Sequence, residues 1–147
     1  MNLTTFDPVV ITKLISAPVG EVWKAWTDPG AVLKWYGSDP NGWGVSSTLD
    51  VRAGGAYEIC FSNSDGSEHT CRGVFLEVRE PEQLIFNWEW KSEPGVVSTV
   101  KVVLAPEGTG TRMHFEHSGV GDKSAHDYYY GWEGAFAKLE KLLNPSI

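Results

Sequence analysis

The chain is short of cysteine, of positive charge and of long apolar runs, and each shortage excludes something. Two cysteines in 147 residues cannot build a disulfide framework or a cysteine-based zinc site. Twelve Lys and Arg against nineteen Asp and Glu leave a net charge of -7. That sign opposes general nucleic-acid binding, which displaces counterions from phosphates, and docking on anionic membranes. No stretch approaches the roughly 18 consecutive apolar residues of a membrane span. The N-terminus has no basic region followed by an apolar core, so no secretory signal is expected and the cytoplasm is the default location. Catalytic signatures are missing too. "GVGDKS" holds a Gly, a Lys and a Ser without phosphate-loop spacing, and neither G-x-S-x-G nor H-E-x-x-H occurs. His114 and His117 sit three apart on an expected strand, on opposite faces, and make a poor metal pair. No cofactor and no metal are expected.

What is present suits one domain spanning residues 1–147, with 41% hydrophobic residues around a single core. β-branched residues predict a strand over 9–16. The period then changes: Val19, Val22, Trp23 and Trp26 fall on one helical face. Asp28-Pro29 ends that helix and starts a second, as cap and first residue, running to Gly37. From 45 to 117 the period is two, predicting strands at 45–51, 56–63, 68–78, 84–91, 96–104 and 111–117. Short turns between them ("RAGG", "SDGS", "REPEQ", "SEPG", "PEGTG") imply an antiparallel meander.

The turn at "SDGS" admits two registers. A two-residue turn sets Cys60 opposite Cys71. A three-residue turn, with Gly66 left-handed, instead puts Tyr57, Ile59 and Phe61 on the face of Cys71, Gly73 and Phe75. The second keeps large apolar groups together and is preferred. Cys60 then faces out, Cys71 faces in, and both stay free thiols because their Cβ vectors diverge.

Each strand has one apolar face, which needs a cover. A terminal helix starting near Lys123 supplies it through Tyr128, Trp132, Ala135, Phe136, Leu139, Leu142 and Leu143, ending at Asn144-Pro145. Asp122 and Asp127 suit the positive end of its dipole, and Lys138 and Lys141 the negative end. Gly131 and Gly134 each cost about 1 kcal/mol relative to Ala. Two reasons would offset this: close approach of helix to sheet, or a gap beneath the aromatic half of the helix.

The order strand, two short helices, meander and long helix resembles the START-like (Bet v 1-like) superfamily. Within it, "ISAPVGEVWKAWTDPGAVLKWYG", "LDVRAGGAYEICFSNSDG", "GVFLEVREPEQLIFNWEW", "GTRMHFEHSG" and "GWEGAFAKLEKLL" are similar to the activator of heat-shock-protein-90 ATPase homologue group. The resemblance implies an α+β helix-grip fold: a curved antiparallel sheet wrapped around the long helix, with an apolar cavity between. It also implies a stress-response setting and a chaperone as one expected partner. In the eukaryotic co-chaperone a separate N-terminal domain makes much of the chaperone contact; no such domain is seen here, so weak chaperone activation is expected.

The leading expectation is non-enzymatic binding of a small hydrophobic or aromatic ligand in that cavity. Expected walls are Trp35, Tyr57, Phe61, Phe75, Trp88, Trp90 and Phe136, roofed by Tyr128 and Trp132, with His117 at the mouth. The same tryptophans also read as plain core, and His117 also reads as a histidine bonded to backbone. A co-chaperone-like interaction module is the second reading. A cyclase or hydrolase is the third, with His117 and Glu77 as its acid–base candidates. Glu77 follows the Phe75 face unless a bulge near Pro81 turns it out.

Overall fold

The computed structural model describes residues 8–119 and 127–144. Strand β1 (Val9–Ile15) leads into α1 (Val19–Thr27) and α2 (Pro29–Val32). Six strands follow: β2 (Trp43–Leu49), β3 (Ala56–Ser62), β4 (Glu68–Arg79), β5 (Gln83–Trp90), β6 (Val97–Glu107) and β7 (Gly110–Ser118). Helix α3 (Tyr128–Leu143) closes the fold. All seven strands form one antiparallel sheet in the order β1-β7-β6-β5-β4-β3-β2. The fold is the expected α+β helix-grip, a curved sheet with the long helix across its inner face.

Local chemistry explains the joints. Asp28 caps α2 by accepting the Ala31 N–H at 2.9 Å, and Pro29 follows at the first helical position. That helix is shorter than expected, because the chain leaves it after Val32 through turns to Tyr36. Strand β2 lies two residues earlier than expected, since Trp43 and Gly44 already pair with Ser62 and Phe61. The β3–β4 hairpin adopts the three-residue register. Ile59 pairs with Cys71, and Gly66 takes φ 87°. Cys71 is buried, Cys60 is half-buried, and both are free thiols. Asp127 caps α3 by accepting the Tyr130 N–H at 3.2 Å. The helix thus starts at Tyr128, later than the expected Lys123, because Asp127 is extended, and it ends at Asn144 as expected; Asp122 and Pro145 fall outside the described residues.

The inner faces alternate as expected. Leu84, Phe86, Trp88 and Trp90, then Val100, Val102 and Leu104, then Met113, Phe115 and His117 are all buried. Helix α3 covers them with Tyr128, Trp132, Ala135, Phe136 and Leu139. Trp26, brought in by α1, occupies the middle. Its ring lies 4.7 Å from Trp35 and about 6 Å from Phe115, Trp132 and Phe136. A side chain of this size is a large apolar mass where a ligand would otherwise sit. Aromatic rings therefore occupy the centre of the domain, and a pocket opens at one end.

The two helical glycines differ in their reasons. A Cβ on Gly134 would lie 2.5 Å from the carbonyl oxygen of Ser38, so this glycine lets α3 approach the loop after α2 rather than the sheet. A Cβ on Gly131 would meet nothing within 4 Å. The expectation that both glycines serve helix–sheet contact is thus corrected. Gly134→Ala should destabilise the fold by about 1–3 kcal/mol, the usual cost of overpacking. Gly131→Ala should stabilise it by up to about 1 kcal/mol through helix propensity alone. Urea denaturation of the two variants should show these opposite signs.

Candidate functional site

The open end is built by three pieces of local structure. The period-two alternation of β3 and β5 delivers Phe61, Trp88 and Trp90 to the inner face. The first turns of α3 lay Tyr128 and Trp132 over them. The turn after α2 adds Tyr36, Gly37 and Ser38. Between them lies a pocket of about 260 Å³, with Asn63, His69, Asp127, Tyr130, Gly131 and Ala135 completing its lining. The pocket's walls are mainly aromatic. Trp88 and Trp132 have centroids 5.1 Å apart, Trp88 and Trp90 5.3 Å, and Phe61 and Trp90 6.0 Å.

Polar clips hold the rim. The Asp39 carboxylate accepts both the Ser64 N–H and the Ser64 hydroxyl at 2.7 Å, and the Asn41 N–H at 2.9 Å. The bonds from the Ser64 backbone and side chain, then that from Asn41, hold its pKa down at about 2. They tie the loop after α2 to the β3–β4 turn. Lys138 of α3 donates to the Tyr36 carbonyl at 3.2 Å, tying the same loop to the helix. Burial lowers the Lys138 pKa, and Asp39 partly opposes this.

Five of the expected pocket residues line this space: Phe61, Trp88, Trp90, Tyr128 and Trp132. Trp35, Tyr57, Phe75, Phe136 and His117 lie behind its walls. Trp35 is fully buried and gives its indole N–H to the Ala25 carbonyl at 2.9 Å. Tyr57 donates its hydroxyl to the Asn87 carbonyl at 2.6 Å and packs on Phe75 and Phe86. Phe136 packs on Phe115 with ring centroids 5.1 Å apart. These five were expected to line the cavity between sheet and helix; of them, Trp35 and Phe136 pack on the Trp26 ring instead. Sequence reasoning missed Tyr36 and His69. His69 was within reach, because the preferred hairpin register pairs it with Phe61. Tyr36 precedes Gly37, whose φ of 97° turns the chain at the rim.

His117 is not at a mouth. It is fully buried on β7, and its partners are side chains rather than backbone. Trp132 Nε1–H donates to His117 Nδ1 at 2.9 Å. Because Nδ1 accepts, the proton of the neutral ring is on Nε2, which donates to Ser98 Oγ at 2.6 Å. The Ser98 hydroxyl in turn faces the Trp88 carbonyl at 3.4 Å. The rings of Trp88, Phe115, Tyr128 and Trp132 enclose the imidazole. Desolvation in that shell pushes its pKa down to about 3.

The proximity of Ser98 and His117 invites a catalytic reading, which the proton pattern opposes. A histidine acting as base toward a serine needs a bare Nε2 and an acceptor beside Nδ1–H. Here Nε2 holds the proton and Nδ1 faces a donor. Glu77 is remote from this pair in chemistry and in face. A bulge between Phe75 and Glu77 adds one residue to β4, so Glu77 pairs with Ile85 on the outer face. There it accepts from Gln83 and pairs with Arg79, both at 2.9 Å. Among the described residues, no group of three potential metal ligands comes together.

The buried imidazole makes acid stability a readout of this site. In the unfolded chain the ring takes a proton near pH 6.5, while the folded ring resists until about pH 3. The stabilisation is complete above pH 6.5 and is lost as pH falls toward 3, at up to about 1.4 kcal/mol per pH unit. Urea unfolding between pH 7 and pH 4.5 should show that slope. His117→Gln should lower stability at pH 7 and remove most of the slope.

The comparisons with known proteins agree with this architecture. The sequence profile of the family described as activator of Hsp90 ATPase homolog 1-like protein matches residues 16–144. No curated protein matches the chain. Among solved structures, protein NE0264 from Nitrosomonas europaea aligns at TM-score 0.79 and 24% identity, over 98% of this chain and 100% of its own. Protein CV1439 from Chromobacterium violaceum aligns at 0.80 and 24%, over 95% and 99%. The AHSA1-like protein from Aeromonas hydrophila aligns at 0.78 and 22%, over 95% and 94%. At these identities the structures speak to the fold. With 129 consecutive residues inside the profile, seven antiparallel strands and the gripping helix, the chain belongs to the activator of Hsp90 ATPase homolog 1-like family.

Proposed function

We propose that this protein binds a small apolar or aromatic ligand, without catalysis, in the pocket between β3, β5 and the first half of α3. The observation that carries the reading is the pocket itself: about 260 Å³ walled by Tyr36, Phe61, Trp88, Trp90, Tyr128 and Trp132. Drug-sized ligands occupy pockets of roughly 300–1,000 Å³, so this space suits a molecule of one or two rings. Aromatic walls supply flat apolar surface at little entropic cost, since each ring is already held by its neighbours. Asp127 is engaged as the helix cap, and the buried His117 is locked behind Trp132.

Chaperone ATPase activation is the second reading, and the family's description supports it. Its physical support is thinner. The exposed apolar side chains of the strands are spread over four strands, with Val10 and Leu14 on β1, Trp43 and Val45 on β2, Leu76 on β4 and Val97 on β6. Stable protein docking prefers one contiguous patch. An Hsp90 ATPase assay with equimolar protein should show little stimulation. Several-fold stimulation would make the interaction reading the better one.

A panel of one- and two-ring aromatic compounds should quench tryptophan fluorescence and raise the melting temperature by mass action. Trp90→Ala should weaken binding at least about tenfold. Trp23→Ala, buried against the core elsewhere and also costing about 3–5 kcal/mol of stability, should leave affinity nearly unchanged. Neither quenching nor thermal shift across the panel would reject the binding reading.

A further inference from the structure

The rings that wall the pocket meet at steep angles. Trp88 and Trp90 are inclined at 86°, Tyr36 and Trp132 at 82°, Phe61 and Trp90 at 66°, and Trp88 and Trp132 at 58°. A slot for a flat molecule needs two near-parallel walls. Rings set at such angles instead make a corner, and a compact, rounded group in a corner touches several of them at once.

The charge around that corner has one sign. Among the described residues lining the pocket there is one carboxylate, Asp127, and no Lys or Arg. His69 lines it as a neutral ring, because its Nε2 accepts from the Asn63 amide at 3.2 Å. Asp39 and Asp65 stand behind the rim, fixed as carboxylates by Ser64 and Ser67. Lys138 lies outside the lining and is engaged with the Tyr36 carbonyl. The chain as a whole carries -7. The positive end of the α3 dipole opposes this field, but Asp127 caps that end. A cation leaving water for a plain apolar space loses its hydration with nothing in return, whereas the negative faces of aromatic rings replace part of it.

We infer that the pocket takes a compact organic cation, a quaternary or protonated tertiary ammonium on a small hydrocarbon body, held by ring faces at the aromatic corner in the field of Asp127. This rests on the ligand-binding reading above and adds a charge to the ligand. The same field repels an anion.

Phenyltrimethylammonium and tert-butylbenzene share one shape and differ by one charge, so they separate the inference from the reading beneath it. Water holds the cation far more strongly, and an apolar pocket without a cation site prefers the hydrocarbon. Titration of tryptophan fluorescence should instead give the cation the lower Kd, by at least about fivefold. Its N-methyl proton signal should move upfield on binding, the ring-current mark of a group held over aromatic faces. The ratio of the two affinities cancels any loss of folded protein in a variant. Trp90→Leu should lower the cation's advantage at least about fivefold. Trp23→Leu, at a buried indole outside the lining, should leave it unchanged. Asp127→Asn keeps a capping side chain and should lower it about twofold to threefold, since the helix end shares that charge. Equal or tighter binding of the hydrocarbon, or no upfield shift, overturns the inference and leaves the apolar pocket standing. An unchanged ratio in Trp90→Leu or in Asp127→Asn overturns it as well. Binding of neither probe overturns both the inference and the reading.

Discussion

The hydrogen bond from Trp132 Nε1 to His117 Nδ1 joins the gripping helix to the inner face of the sheet, and much of the site depends on it. It spans α3 and β7 at 2.9 Å inside an aromatic shell. Trp132 thereby becomes a fixed wall, oriented by a polar partner as well as by packing. The same bond sets the histidine tautomer and so directs the second ring proton to Ser98. Both partners are buried, so losing either would strand the other at the full desolvation cost. One contact thus positions the pocket's back wall and withholds the imidazole from acid–base work.

Around that contact the packing follows from ring size. Trp26 comes down from α1 into the place where a wider grip would leave a hole, and Phe115, Phe136 and Trp35 close on it. The pocket lies where Gly131 and the turn at Gly37 remove bulk. The Asp39–Ser64 and Lys138–Tyr36 clips then brace the rim. A rim held by backbone and charge-assisted bonds gives a preformed opening, which lowers the ordering cost of binding.

The fold was legible because its signals are periodic. The alternation Leu84, Phe86, Trp88, Trp90 could serve only one buried face, and the choice of a three-residue turn at Gly66 followed from keeping Ile59 with Cys71. The aspartate cap at Asp28 was equally readable, whereas Asp127 was expected only as a negative charge near the helix's positive end and is its cap. The pocket was half legible. Alternation reveals which residues face inward, but not which of them touch one another or an opening. Nothing in the spacing of Trp35 or Phe136 says that the Trp26 ring will pack against them. His117 was correctly placed on the inner face, yet its partners Ser98 and Trp132 are 19 and 15 residues away and meet it only through the strand pairing and the helix crossing. The bulge after Phe75 turned Glu77 outward through a one-residue insertion that has no sequence period of its own.

His117 is a locked structural acceptor behind the Trp132 wall of the pocket. Long-range 1H–15N correlation of the imidazole tests it directly. A neutral ring with the proton on Nε2 and a bare Nδ1, unchanged from pH 8 to pH 4.5, is the predicted result. A proton on Nδ1, or titration near pH 6.5, would contradict the account and return His117 to the list of catalytic candidates.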